Sequence, residues 1–197
     1  MKKFILFAVI FILSGSLCLG AEYPMDKGAT MIEGSFSFSS STGKLFEDYE
    51  GNALTLIAIG SSMMEFAVPN FALGANLTLL YGKQGDASFT SLGIGPKFLY
   101  AVGDRYAKTY PYVGVGFNYV RNTETYVTYG YYSKRTEEYT ISGTSFTFEA
   151  GAIVMLESHV GLVLKGSFSL TTLKPEDGRS ASGNIFMLGV GLTNFMF

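Results

Sequence analysis

The sequence predicts an all-β fold, an eight-stranded antiparallel up-and-down transmembrane β-barrel, and three observations carry that prediction. Residues 145–171 alternate apolar and polar with a period of two over two segments. Each is roughly twice the ~5–6 residues of an ordinary strand and about right for a tilted crossing of a ~30 Å hydrocarbon layer. The connections between such segments alternate between longer and shorter along the chain, as outer loops and inner turns do in barrels of this kind. After the first twenty residues no stretch is long and apolar enough for a spanning helix. The 24 Gly, 17 Phe and 13 Tyr instead suit a closed barrel, with glycine at its bends and aromatics at its two interfaces. A soluble barrel shows the same alternation with its faces exchanged, so segment length and turn pattern decide between the two.

Residues 1–20 read as a secretory signal: Lys2 and Lys3, an apolar run over 4–13, then small residues ending at Gly20. The apolar run is about half the ~20 residues that a spanning helix needs. Cleavage is expected after Gly20 or Ala21, and Leu17 before Cys18 disfavours a lipoprotein signal, which wants a small residue there. Cys18 is the only cysteine, so the remaining chain, residues 21–197, is expected as one barrel domain with no disulfide, cysteine nucleophile or thiolate metal site. Without Lys2 and Lys3 the 14 basic residues become 12 against 16 acidic, a net charge of −4. No basic stripe marks a nucleic-acid surface.

A short polar leader, 22–27, precedes the first strand at 29–40, whose Ile32, Phe36 and Phe38 oppose Glu33, Ser35, Ser37 and Ser39. A polar connection over 41–52 follows. The second strand, 53–68, is less regular: Leu54, Leu56, Ala58, Met64 and Phe66 share the apolar phase and Glu65 the polar one, but Ile57 and Ile59 break the rule. Pro69-Asn70 turns the chain into a third strand with Leu73, Ala75, Leu77, Leu79 and Tyr81 outward. After residues 83–87 the fourth strand, 89–102, turns Leu92, Ile94, Phe98 and Tyr100 outward and Ser91, Gly93, Gly95 and Lys97 inward. Pro96 lacks an amide donor and is expected at a bulge or irregularity.

Residues 103–109 lead to a fifth strand with Val113, Val115, Phe117 and Tyr119 outward. Residues 121–142 form the longest polar segment, expected as a hairpin above the membrane with its tip near 130–138. In the sixth strand Phe146, Phe148, Ala150, Ala152, Val154 and Leu156 lie outward and Glu149 inward. After Glu157-Ser158 the seventh turns Val160, Leu162, Leu164, Phe168 and Leu170 outward and Lys165 inward. A polar loop, 173–182, precedes the eighth strand, 183–197.

The segments Asn70-Phe71-Ala72-Leu73-Gly74, Ser91-Leu92-Gly93-Ile94-Gly95-Pro96 with Tyr100, Pro111-Tyr112-Val113-Gly114-Val115-Gly116 and the final Phe197 resemble the small eight-stranded outer-membrane barrels, the OmpA/OmpX-like superfamily. The resemblance implies a Gram-negative outer membrane and a last strand, with Phe195 and Phe197, that the barrel-assembly machinery recognises. Leu188, Val190 and Leu192 lie on the other phase from these two aromatics, and a bulge near Asn194 reconciles them.

A mid-membrane Lys on the lipid face costs ~2–4 kcal/mol. The five strand charges Glu33, Glu65, Lys97, Glu149 and Lys165 are therefore expected to point inward and pair in a closed interior, since eight strands enclose little more than side chains. The alternative is a narrow or gated ion path along the same residues. A third possibility, a lipid-modifying enzyme, would use His159 with Ser158 and Glu157, but neighbours in a strand point to opposite faces. No catalytic, cofactor or metal residues are expected. Tyr126, Tyr129, Tyr131 and Tyr132 are candidates for contact with an unknown extracellular partner, or for the interfacial girdle. The expectation is a monomer in outer-membrane lipid with a structural or surface-interaction role.

Overall fold

A computed structural model describes residues 22–41, 53–129, 134–174 and 181–197, with the backbone alone at 40–41, 126–129, 134–137 and 181. The expected signal, 1–20, the centre of the first loop and the tyrosines at 131 and 132 lie outside the described residues. Within them the chain forms eight strands: β1 (Thr30–Ser41), β2 (Leu54–Val68), β3 (Phe71–Gln84), β4 (Ala87–Ala101), β5 (Thr109–Tyr129), β6 (Lys134–Met155), β7 (Val160–Lys174) and β8 (Ala181–Met196). Each pairs antiparallel with its neighbours in sequence, and β8 pairs with β1, so the sheet closes without an edge.

The registers fix the shape of the cylinder. Stepping across the ladders from Gly191 through Ser35, Gly60, Thr78, Gly93, Val120, Gly143 and Leu173 returns to β8 at Ala181, a stagger of ten residues from 191 to 181. With eight strands that stagger implies a strand tilt of about 40°. The outward apolar runs 146–156, 160–170 and 186–196 then cover about 25 Å along the barrel axis, the height of an outer-membrane hydrocarbon band. Their side chains are open to the surroundings, as at Phe148, Leu164, Leu188 (63% exposed) and Val190. An apolar belt this tall is costly to leave in water, and a hydrocarbon layer removes that cost.

The interior is layered. At the end where residues 22–29 lie, Met25, Ala29, Met31, Met64, Phe66, Leu99, Tyr110, Ile153, Val163 and Phe195 form a buried apolar floor. The leading segment is tied across it, Gly28 N–H donating to Phe66 C=O at 2.8 Å and Asn70 N–H to Met25 C=O at 2.9 Å. Toward the other end Leu56, Ala58 and Met187 pack with Leu54, Leu80, Phe89 and Ile185. A cavity of about 140 Å³ lies beyond the floor, lined by charged and hydroxyl side chains and by Ala58, Leu80, Ile185 and Met187 of the second cluster.

This layering corrects the phase expected for β2. Leu56, Ala58, Met64 and Phe66 point into the barrel, while Ile59 (59% exposed) and Met63 face out. The apolar side chains on that phase serve the two internal plugs, so hydrophobicity alone does not mark the lipid face there. The same cause corrects β8. Its registers with β7 and β1 run without a shift through Asn194, so no bulge brings Phe195 outward. Phe195 is 1% exposed in the floor, and Met196 takes the outward phase.

The expected segregation of loops by length also needs correcting. The β3–β4 connection is only Gly85-Asp86. Gly85 has a φ of 57°, the positive value that the first position of a two-residue II′ turn requires. The β4–β5 connection at the floor, 102–108, is longer. It lies against the leading segment, with Arg105 3.7 Å from Asp26 and 5.0 Å from the Tyr23 ring centre. At Pro96 the ladder to β5 lacks the pairs of Gly95 and Pro96 but resumes in the same register, an irregularity without a bulge.

Candidate functional site

Four of the five strand charges meet inside the barrel. Glu33 on β1, Lys97 on β4, Glu149 on β6 and Lys165 on β7 each sit on the phase opposite a run of outward apolar residues, so strand geometry alone aims them at the axis. Lys97 Nζ lies 2.7 Å from Glu149 Oε1 and 3.2 Å from Glu33 Oε2. Lys165 Nζ is bound to the other oxygen of Glu33. The signs alternate along a chain from Glu149 through Lys97 and Glu33 to Lys165, and the four charges sum to zero. Two hydroxyls complete the set: Ser62 Oγ donates to Glu33 Oε2 at 3.3 Å, and Lys165 Nζ donates to Ser35 Oγ at 2.9 Å.

Glu33 is the hub, 2% exposed and bound by two ammonium groups and a hydroxyl. Gly114 makes room for Glu149, since a Cβ there would stand 2.9 Å from the Glu149 side chain. Desolvating four charges is expensive, and only their mutual pairing offsets it. Above them the cavity is walled by hydroxyls and amides, among them Ser91, Thr147, Ser169, Asn76 and Asn118.

Glu65 is not part of this network. It lies between the inward residues Met64 and Phe66, pairs across the sheet with Thr30 and Leu73, and therefore shares the outward phase of Leu73 near the floor end of β2. The slip in the phase of β2 accounts for the misplacement, and a position at the end of the strand keeps the carboxylate away from mid-membrane. Alternation places Ser35 on the inward face with Glu33, whereas Ser62 is found only through the register, which pairs it directly with Glu33.

His159 belongs to the β6–β7 turn and grips the end of the last strand. Its Nδ1 is 3.1 Å from the Phe195 carbonyl, its ring stacks on Phe197 at 4.4 Å, and Phe195 N–H donates to its carbonyl at 2.7 Å. The adjacent Glu157 and Ser158 are exposed in the turn. Among the described residues no three His, Cys, Asp or Glu side chains gather as a metal site. The side chains of Tyr126 and Tyr129 and the whole of Tyr131 and Tyr132 fall outside the described residues.

No protein-family model and no curated protein matches the sequence. Solved structures do match the fold. Neisserial surface protein A (NspA) superposes with a TM-score of 0.62 at 13% identity, over 85% of this chain and 99% of that one. The outer membrane protein OprG from Pseudomonas aeruginosa gives 0.51 at 13% identity, over 87% of this chain and 97% of that one.

Proposed function

We propose that this chain, an integral β-barrel with the fold of the small eight-stranded outer-membrane proteins, is a closed anchor that holds a strand edge above the membrane for a partner to join. One observation carries the proposal. β5 and β6 pair with each other from Thr109 and Val154 up to Tyr129 and Lys134, but β4 follows β5 only to Thr125, where the β3–β4 hairpin turns at Gly85-Asp86. Among the described residues the backbone of 126–129 therefore has a ladder on one side only. Four residues of strand extend about 13 Å, and the N–H and C=O groups on their open side form a template for strand addition. The hairpin lies at the end opposite the floor, which in outer-membrane barrels is the outer side.

The apolar floor and the paired charges support an anchor rather than a pore. An ion crossing the barrel would have to break both in turn. The test uses intact cells of a host that displays the barrel. Deleting residues 126–137, so that Thr125 joins Glu138, is expected to leave insertion and heat-modifiable migration unchanged and to abolish binding to a panel of immobilised extracellular proteins. Equal binding by the shortened barrel, or none by either form, contradicts the proposal.

A further inference from the structure

The outward faces of β5, β6 and β7 change character together toward the outer end. Phe117, Phe146 and Leu170 are cross-strand neighbours in one exposed row, and the Phe146 and Phe148 rings meet edge to face at 4.7 Å. The next row up is Tyr119, Thr144 and Thr172, and the one above it Arg121, Ser142 and Lys174. Apolar side chains therefore give way to hydroxyls and then to two cations on the same face. Arg121 and Lys174 are both exposed and lie two inter-strand steps apart, about 10 Å. The rows climb from β5 to β7 because the strands tilt by about 40°, so Lys174 stands about 6 Å above Arg121.

Arg121 marks the edge of the hydrocarbon. It follows Tyr119 on the outward face of β5, as the polar Asn184 follows Phe186 on β8, and a cation is tolerated at the membrane interface but not at mid-membrane. Among the described residues neither Arg121 nor Lys174 has an ion-pair partner. The outward acid of β6, Glu138, is four positions along the strand from Ser142, about 13 Å. Lys83, the exposed cation at the same end of β3, differs: its row runs through Ser88 and Thr125 to Glu138, one charge of each sign. Two cations of one row, set among hydroxyls at the hydrocarbon edge and continuous with an apolar wall below, match a lipid with a phosphate and sugar hydroxyls in its head. The serine and threonine hydroxyls both donate and accept, as sugar hydroxyls do.

We propose that this face binds a phosphorylated glycolipid of the outer leaflet. Its phosphate sits between Arg121 and Lys174, its sugar hydroxyls on Ser142, Thr144 and Thr172, and one acyl chain along Phe146 and Leu170. The guanidinium offers a fork for two phosphate oxygens, and the ammonium adds a second charge from above. The site uses none of residues 126–129, so it stands or falls independently of the strand edge.

Native mass spectrometry of the full barrel, released from detergent micelles after incubation with lipid, measures the fraction that keeps one lipid molecule. The probes are bisphosphorylated lipid A, the same lipid with both phosphates removed, and phosphatidylglycerol, which offers a phosphate without a sugar. The unmodified barrel is expected to keep lipid A roughly tenfold better than the dephosphorylated form, and several-fold better than phosphatidylglycerol. Arg121→Gln combined with Lys174→Gln should bring retention of lipid A down to that of the dephosphorylated lipid, while Lys83→Gln leaves it unchanged. All three positions are exposed, and heat-modifiable migration checks that each variant is folded. No retention of lipid A by the unmodified barrel, or undiminished retention by the double variant, would overturn the proposal. So would equal retention of any two of the three lipids by the unmodified barrel where a difference is expected, or an equal loss in Lys83→Gln.

Discussion

Glu33 holds two buried lysines, and the consequences of losing it differ from those of losing any neighbour. Glu33→Gln leaves Lys165 with only the Ser35 hydroxyl and Lys97 with only Glu149, so an ammonium group stays buried without a carboxylate. The expected cost is about 3–5 kcal/mol, as for other broken buried pairs. Glu149→Gln should cost less, because Lys97 keeps Glu33. Pairing Glu33→Gln with Lys165→Met should recover part of the loss, since the second change removes the stranded charge. Urea unfolding of the refolded barrel in detergent micelles measures all three, and equal losses for the two glutamates would contradict the hub. Glycine offers a second contrast. A Cβ on Gly95 would stand 1.8 Å from the Phe117 carbonyl oxygen, whereas one on Gly34 meets nothing within 4 Å. Gly95→Ala should therefore force β4 and β5 apart and lower the unfolding midpoint clearly, while Gly34→Ala leaves it unchanged.

Strands behave according to which of their faces meets lipid. Phe195 fills the floor and Phe186 stands exposed on the outer face. Phe195→Ala should destabilise by about 3–5 kcal/mol through the cavity it opens, as in other cores. Phe186→Ala should cost much less, because hydrocarbon tails take the place of the lost ring. Similar losses in the same unfolding experiment would mean that the two faces are not distinct. Six of the eight strands could be phased correctly from sequence because the middle of β1 and β3–β7 carries apolar residues outward against mostly small or polar ones inward, the large inward side chains being concentrated at the floor end. β2 and the end of β8 could not, since an apolar residue answers equally well to lipid and to an internal plug. That ambiguity misplaced Glu65, and it suggested a bulge where Phe195 simply turns inward. The four-charge cluster was legible as a set of inward positions, but its connectivity was not. Which glutamate bridges two lysines depends on the ten-residue stagger, which no single strand encodes.

As a whole the molecule is a cylinder of tilted strands with lipid outside, paired charges within, an apolar floor at one end and a smaller apolar cluster toward the other. In planar bilayers the folded barrel is expected to give no unitary conductance, and neutralising Lys97 or Glu149 should not create a stable open level while the floor and upper clusters persist. Steady conductance in the unmodified barrel would count against a closed interior. The most direct test of the assignment of faces is nitroxide scanning along β7 from residue 160 to 170 in vesicles, comparing relaxation by oxygen, which partitions into hydrocarbon, with relaxation by a water-soluble nickel chelate. The account predicts strong oxygen contact at Leu162, Leu164, Phe168 and Leu170, and low oxygen contact at Val163, Lys165, Ser167 and Ser169 between them. The opposite phase, or no alternation at all, would contradict it.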